Sequence, residues 1–230
     1  MMKFIKRFYL SIILLFLYVP IVVLIVQSFN AGKSRAKWEG FSFRWYQELF
    51  NDPAIMQALY VTISIAVLAA IVSTILGTLA AIGIHAMKKR PQSLMMTLTN
   101  IPMTMPDIVT GISLMLLFIT IGMRFGFMTI LLSHITFNIP YVILSVMPRL
   151  KQLNPSTYEA ALDLGAPPLK AFFKVVLPDL APGIFSGLLM AFTMSLDDFI
   201  ITHFTKGPGV DTLSTKIYSE VRKGIKPEMY

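Results

Sequence analysis

Five long apolar stretches constrain the fold of this chain more than any other feature of its sequence. A helix needs roughly 20 apolar residues to cross a hydrocarbon layer about 30 Å thick. The stretches cover residues 9–29, 59–87, 94–121, 127–147 and 181–204. Since lipid offers the backbone no hydrogen-bond partners, each stretch is predicted to be a helix. The sequence therefore predicts an all-α polytopic membrane protein with five transmembrane helices.

The composition agrees with a membrane protein and excludes several other classes. Hydrophobic residues make up 55% of the chain and charged residues only 14%, which is too apolar for an ordinary soluble domain. The absence of cysteine excludes disulfides and thiolate metal sites, and three scattered histidines do not form a metal site. The net charge of +8 comes from basic residues between the apolar stretches, which is typical of loops at an anionic lipid surface rather than of a nucleic-acid interface.

Basic residues also indicate how the chain is oriented, because Lys and Arg flank membrane helices on the cytoplasmic side. Lys3, Lys6 and Arg7 precede the first stretch, and a second cluster at residues 88–90 directly follows the second stretch. The first stretch is too long for a cleaved secretory signal and no small-residue cleavage site follows it, so it is expected to remain as an anchor. These features predict a cytoplasmic N-terminus, extracytoplasmic segments at residues 30–58 and 205–230, and a cytoplasmic loop at residues 149–180.

The cytoplasmic loop carries the signals of two short helices. Ser156 and Glu159 have the spacing of a capping box at the start of a helix. Gly165 is expected to end this first helix, and the prolines that follow are expected to start a second one at residues 169–176, which Pro178 stops. Two short helices joined at a Gly-Pro elbow predict a rigid knob on the cytoplasmic surface.

The same loop resembles a motif of one known family. Its spacing matches the pattern E-A-A-x3-G-x9-I-x-L-P of binding-protein-dependent ABC importer permeases, with valine in place of the isoleucine. The matching residues are Glu159, Ala160, Ala161, Gly165, Val175, Leu177 and Pro178. The resemblance implies that this loop couples the permease to an ATPase by docking into a cleft on it. Glu159 by itself is also interpreted as a helix cap, and the two roles are compatible.

The resemblance extends over essentially the whole chain and is to permeases of spermidine/putrescine importers. It is carried by Asn30, Gly40-Phe41-Ser42, Pro106-Asp107-Ile108-Val109, Ser133-His134-Ile135-Thr136-Phe137 and Ser195-Leu196-Asp197-Asp198-Phe199. It implies a single MetI-like transmembrane domain over residues 1–230 in a bacterial inner membrane. The implied partners are a homologous permease subunit, two ATPase subunits and an extracytoplasmic polyamine-binding protein. The family pattern has a sixth span, which would follow Tyr230, so either the sequence is shortened or five helices serve here.

Three acidic residues within the apolar stretches are the candidates for contact with the cargo. An ionised carboxylate in a membrane helix costs at least about 2.5 kcal/mol unless it faces water or a partner. Asp107, Asp197 and Asp198 share their stretches with no Lys or Arg, so the missing cation is hypothesised to be the cargo. A polyamine carries several ammonium groups, and spaced carboxylates are suited to replace its water shell one charge at a time. The structural alternatives are Asp107 as a helix cap and Asp198 bonded to Thr202.

Neighbouring polar and aromatic residues are expected to assist these acids. Ser195 would supply a neutral acceptor beside the aspartates. Trp45 and Tyr46, ahead of the second stretch, would meet the cation over their ring faces or contact the binding protein. An interfacial aromatic belt is the alternative for Trp45. His134 is expected only to form a hydrogen bond between helices.

The chain is not expected to be an enzyme. It lacks a G-x-x-x-x-G-K-S/T loop for nucleotide phosphates, and no catalytic residue, metal or cofactor is predicted in it. The resemblance implies that ATP and Mg²⁺ bind to the partner ATPase, whose closure moves the coupling loops and switches the pathway. Two alternatives stay open. One is an ABC permease for a different cationic or small solute, and the other is an ion-coupled secondary transporter, which leaves the loop motif unexplained.

Overall fold

Every regular element in residues 2–32 and 37–223, the part of the chain that the structure describes, is helical. The structure is a computed structural model. The elements in chain order are α1 (Met2–Ser28), α2 (Arg44–Asn51), α3 (Pro53–His85), α4 (Lys89–Thr104), α5 (Asp107–Thr120), α6 (Phe127–Gln152), α7 (Pro155–Asp163), α8 (Pro168–Ala171), a π-helical segment (Phe172–Val176), α9 (Leu177–Asp197), α10 (Ile200–Thr205) and α11 (Leu213–Lys223). The all-α prediction is confirmed.

Four continuous helices in the described part of the chain are long and apolar enough to cross a membrane. They are Lys6–Ser28, Pro53–His85, Phe127–Gln152 and Pro168–Asp197. The count reaches five only if α4 and α5 together form one broken span. The side chains from Lys6 to Val26 are exposed on all faces of α1, as expected of a helix that meets lipid.

The third predicted span is not one helix, and this part of the prediction is wrong. The axes of α4 and α5 differ by 102°, and the break falls at Met105 and Pro106. Proline has no N–H to continue the helical ladder and pushes the residue before it into extended backbone. Met105 accordingly has φ −80° and ψ 145°. The bend brings the first turn of α5 to the end of α4 and leaves Asp107 at a helix start.

The last predicted span is also displaced. The helix begins before residue 181, because α8 continues through the π-helical segment into α9, and Pro178 does not stop it. The N–H of Leu177 bonds to the carbonyl of Phe172, five residues earlier, which is the π-helical spacing. Pro178 directly follows the π-helical segment, so the change in the bonding pattern falls where the proline has no N–H to donate. The helix ends at Asp197, and α10 begins after a short extended break.

Close packing of α6 against α3 and α9 forms the core. Val142 of α6 is fully buried between Gly77 of α3 and Gly187 of α9, where added Cβ atoms would lie 2.7 Å and 3.3 Å from Val142 atoms. Gly183 and Gly187 have the small-x-x-x-small spacing that lets membrane helices approach closely. The surrounding core is aliphatic and includes Ala81, Ile143 and Leu180.

The chain divides into two compact units, one of Met1–Gln57 with Lys216–Tyr230 and the other of Ala58–Thr215. In the first unit, the segment after α1 folds around Asn30, which is 2% exposed. The Asn30 Oδ1 accepts from the N–H of Glu39 at 2.8 Å, and its Nδ2 donates to the carbonyl of Lys37 at 2.9 Å. This buried amide organises the loop between α1 and α2.

Candidate functional site

The three intramembrane aspartates of the sequence analysis line one cavity of about 460 Å³ in the second unit. Its lining residues are Asp107, Phe137, Thr193, Met194, Asp197, Asp198, Phe199 and Ile200. All three carboxylates lie at helix ends rather than within continuous helices, which corrects the sequence prediction. Asp107 is the first residue of α5, Asp197 the last of α9, and Asp198 lies in the break before α10. The two helix breaks thus bring residues 90 positions apart to one site.

Two of the three carboxylates form no hydrogen bond or ion pair with the part of the chain that the structure describes. Asp107 and Asp197 are exposed, and within residues 2–32 and 37–223 neither forms a hydrogen bond or an ion pair. The sequence alternative in which the Asp107 side chain caps its helix is not observed, because no side-chain cap bond is present at the start of α5. Two such carboxylates on one cavity attract a cation strongly, since each has acceptor capacity left for charge-assisted hydrogen bonds.

Asp198 differs from Asp107 and Asp197, because its carboxylate accepts hydrogen bonds from protein groups. Its Oδ2 accepts from the Thr202 N–H and the Thr202 hydroxyl, each at 2.8 Å, and its Oδ1 accepts from the Ile201 N–H at 3.2 Å. The bond to Thr202 is the structural alternative drawn from the sequence, and it is confirmed. These contacts cap the first turn of α10. His134 also lies close, with its Nε2 3.4 Å from Asp198 Oδ2.

Apolar and aromatic side chains complete the cavity wall. Phe137 of α6 is buried, and its ring centroid lies 5.2 Å from that of Tyr141. Phe199 lies beside the aspartates, and its ring is tilted by 30° to the His203 ring at a centroid distance of 5.3 Å. Sequence reasoning assigned no role to either phenylalanine, although both end motifs that carried the family resemblance. An aromatic face beside carboxylates is suited to the methylene segments and ammonium groups of an organic cation.

The remaining pathway candidates have local structural partners. Ser195 is 4% exposed, and its Oγ accepts from Asn138 Nδ2 at 2.7 Å, so it is not among the cavity-lining residues. Trp45 and Tyr46 belong to the first unit. The Trp45 indole is buried and donates to the Asn30 carbonyl at 2.7 Å, and the Tyr46 hydroxyl lies 2.8 Å from Ser28 Oγ. Each side chain thus contributes to packing or to the loop after α1.

The cytoplasmic loop predicted from the sequence begins with α7, but a different residue caps it. Asn154 Oδ1 accepts from the N–H of Ser156 at 3.1 Å, and Pro155 occupies the first turn. The predicted Ser156–Glu159 capping box is therefore wrong, because the N-cap is Asn154 and the helix starts two residues earlier than expected. Pro155 suits the first helical position, because the N–H that it lacks would have no partner within the helix.

The surface of this loop is exposed and partly apolar. Glu159 and Ala160 are exposed and Ala161 is half-buried on α7, while Leu164 and Leu169 are 89% and 74% exposed. Gly165 has φ +83°, a conformation that side-chain-bearing residues rarely adopt, and it turns the chain between α7 and α8. The other motif residues, Val175, Leu177 and Pro178, lie in the π-helical segment and the start of α9. The knob is therefore one short helix seated on the end of a membrane helix.

Helices long enough to cross a membrane, together with an exposed loop that carries the predicted motif, fit a transport permease. The sequence agrees, since residues 73–222 match the family model described as the binding-protein-dependent transport system inner membrane component. The chain belongs to this family. It is a non-catalytic, multi-pass inner-membrane component of a bacterial ABC importer, and no cofactor is expected in this family.

Curated relatives match nearly the whole chain. It is 43% identical to the putrescine transport system permease protein PotI of Escherichia coli K12 over 221 residues, which is 93% of this chain and 79% of the relative. It is 37% identical to the spermidine/putrescine transport system permease protein PotC of the same strain, over 96% of this chain and 84% of that protein. The PotC of Haemophilus influenzae is 37% identical over 98% of this chain and 88% of its own length.

Solved structures show the same fold at low identity. A bacterial ABC transporter involved in the import of the acidic polysaccharide alginate aligns with a TM-score of 0.76 at 16% identity, covering 96% of this chain and 79% of that chain. The alginate transporter in complex with an alginate-bound periplasmic protein aligns with a TM-score of 0.73 at 19% identity, covering 99% and 88%. These likenesses concern the fold alone.

Proposed function

We infer that this chain is the permease subunit of an ATP-driven importer for polyamines of the spermidine/putrescine type. The observation that carries the proposal is the pair of exposed carboxylates, Asp107 and Asp197, which line one cavity and form no hydrogen bond or ion pair with the described residues. A cavity of this charge suits cations and opposes anions. The names of the PotI and PotC relatives support the same cargo.

The geometry suits a flexible polycation. Each ammonium group needs several acceptors to replace its water, and Asp107 and Asp197 supply them from different helices. The methylene segments between the ammonium groups would lie along Phe137, Met194 and Phe199. Asp198 adds negative charge to the wall. Weak contacts at several points, rather than one tight site, also allow the cargo to leave.

Transport requires partners that this chain does not contain. A homologous permease subunit would close the other side of the pathway, two ATPase subunits would bind ATP and Mg²⁺, and an extracytoplasmic polyamine-binding protein would deliver the cargo. The N-terminus would be cytoplasmic, and segments 30–58 and 205–230 would face the binding protein. Closure of the ATPase would push on the exposed surface of α7, and the continuous helix from Pro168 to Asp197 would carry that movement to the aspartates.

The test is uptake by the complete importer in proteoliposomes. Asp107→Asn and Asp197→Asn are each expected to lower the initial uptake of radiolabelled putrescine and spermidine roughly tenfold or more while assembly persists, because an amide keeps the shape and loses the charge. Glu48→Gln at saturating binding protein is the control for loss of a carboxylate outside the cavity, since that carboxylate lies exposed on α2 and pairs with Arg44. Unchanged uptake in both aspartate variants would remove these residues from the pathway. Uptake driven by an ion gradient without ATP would favour a secondary transporter.

A further inference from the structure

A buried histidine connects α6 to the break between α9 and α10. His134 is 1% exposed, and its Nε2 lies 2.9 Å from the Oγ1 of Thr202 and 3.4 Å from the Oδ2 of Asp198. Thr202 is itself fully buried. The three side chains form a chain of contacts from the interior of the bundle to the wall of the cavity.

The direction of the hydrogen bonds follows from the chemistry of the three groups. An ionised carboxylate only accepts, so the Thr202 hydroxyl donates to Asp198 Oδ2 at 2.8 Å. The Thr202 oxygen then accepts from His134, which requires a proton on Nε2. The Nδ1 of His134 is buried and has no hydrogen-bond partner within the described residues, which suits an unprotonated nitrogen better than an unpaired N–H donor.

These bonds determine what Asp198 can do. Its Oδ2 accepts from two groups of Thr202 and its Oδ1 from the Ile201 N–H, and only 9% of the side chain is exposed. The carboxylate therefore fixes the start of α10 and has little capacity left for a ligand. Ile200 and Phe199, which line the cavity, are held in place by the same bonds. Asp107 and Asp197 remain as the carboxylates that are free to contact a cation.

We propose that His134 is a positioning residue for the cavity, which acts through Thr202 to hold Asp198 as the cap of α10 and so sets the wall against which the cargo binds. The inference rests on the proposed polyamine transport for its effect on uptake. It divides the aspartate pair: Asp197 contacts the cargo, whereas Asp198 shapes the site. It also gives a transport role to a residue that the sequence marked only as a contact between helices.

Two matched pairs of variants test the proposal in the complete reconstituted importer. Thr202→Val removes the hydroxyl at nearly constant volume and Thr202→Ser retains it. His134→Gln places an amide N–H near the position of Nε2, and His134→Asn, one methylene shorter, does not reach Thr202. At saturating binding protein, Thr202→Val and His134→Asn are each expected to lower initial putrescine uptake roughly three- to tenfold. Thr202→Ser and His134→Gln are expected to retain most of the uptake. Thr136→Val is the control, because that hydroxyl bonds only to its own helix at Leu132.

A spectroscopic readout separates this proposal from the proposed function. The chain has no cysteine, so a single Ile200→Cys carries a spin label at the start of α10 and Met128→Cys carries a reference label on α6. Thr202→Val and His134→Asn are expected to increase the mobility of the label at residue 200 but not of the label at residue 128. This measurement needs no cargo. The proposal would be overturned if the two variants at each position, 134 or 202, gave the same spectra and the same uptake as each other. This includes the case in which both variants lose uptake equally. If the parent importer moved no polyamine, the proposed function would fail while the label still tested the role of His134.

Discussion

Gly187 of α9 lies so close to Val142 of α6 that a Cβ added to the glycine would be 3.3 Å from the Val142 Cα. The neighbouring atom is backbone and cannot turn aside as a flexible side chain can. Gly183, one turn earlier, lies equally close to the carbonyl of Ser145, at 3.1 Å from its own added Cβ. The contact between α6 and α9 therefore depends on two glycines, and α9 in turn carries Asp197 to the cavity.

Gly187→Leu is expected to destabilise the chain, because the added side chain has to separate the two helices. Overpacking of this kind costs about 1–3 kcal/mol. The measurement is the thermal inactivation temperature of the purified complex in detergent. Gly83→Leu is the matched control, since Gly83 is exposed and an added Cβ there meets nothing within 4 Å. If both variants behaved like the parent, the packing argument for α6 and α9 would be wrong.

Gly165→Ala is expected to weaken coupling between ATP hydrolysis and uptake. Gly165 has φ +83°, and an alanine in this conformation costs about 1–2 kcal/mol, so the turn between α7 and α8 would distort. Gly122→Ala is the control, because Gly122 has φ +68° and open space around it but lies between α5 and α6, outside the loop. The assay is cargo-stimulated ATPase activity and uptake measured on the same proteoliposomes. A similar loss in both variants would point to general strain instead of a coupling defect.

Asn154→Ala is expected to loosen α7, whereas Ser156→Ala is expected to have little effect. Only Asn154 accepts a backbone N–H at the helix start, and loss of such a cap costs about 1 kcal/mol. Hydrogen exchange of the α7 amides measures the difference directly. Faster exchange in Ser156→Ala but not in Asn154→Ala would support the Ser156–Glu159 capping box that the sequence predicted.

Trp45→Phe is expected to lower stability more than it lowers uptake per folded transporter. Phenylalanine retains a large ring but loses the indole N–H and with it the 2.7 Å hydrogen bond to the Asn30 carbonyl, which is worth about 0.5–1.5 kcal/mol. The measurement combines thermal inactivation with uptake normalised to the amount of assembled complex. A large loss of normalised uptake with unchanged stability would instead support a contact with the cargo or the binding protein.

Several features of the site were readable in the sequence because they depend on neighbouring residues. Apolar length predicted the membrane helices, the spacing of Glu159, Gly165 and Pro178 predicted the coupling loop, and the lack of Lys and Arg beside the aspartates predicted an unsatisfied charge. The break at Pro106 was also open to prediction, since proline disturbs the helix wherever it occurs. The sequence alone thus indicated the class of protein and three acidic residues without a neighbouring Lys or Arg in their apolar stretches.

The tertiary structure decided how the three aspartates differ. Asp197 and Asp198 are adjacent and chemically identical in the sequence, yet one is exposed and the other is bonded to Thr202 and lies against His134. His134 lies on a different helix, 64 positions from Asp198 in the sequence, so no local sequence pattern predicts the contact between them. The convergence of Asp107 with Asp197 likewise depends on two helix breaks that face each other. Local chemistry determines which groups a chain carries, and packing between distant helices determines which of those groups remain free to bind.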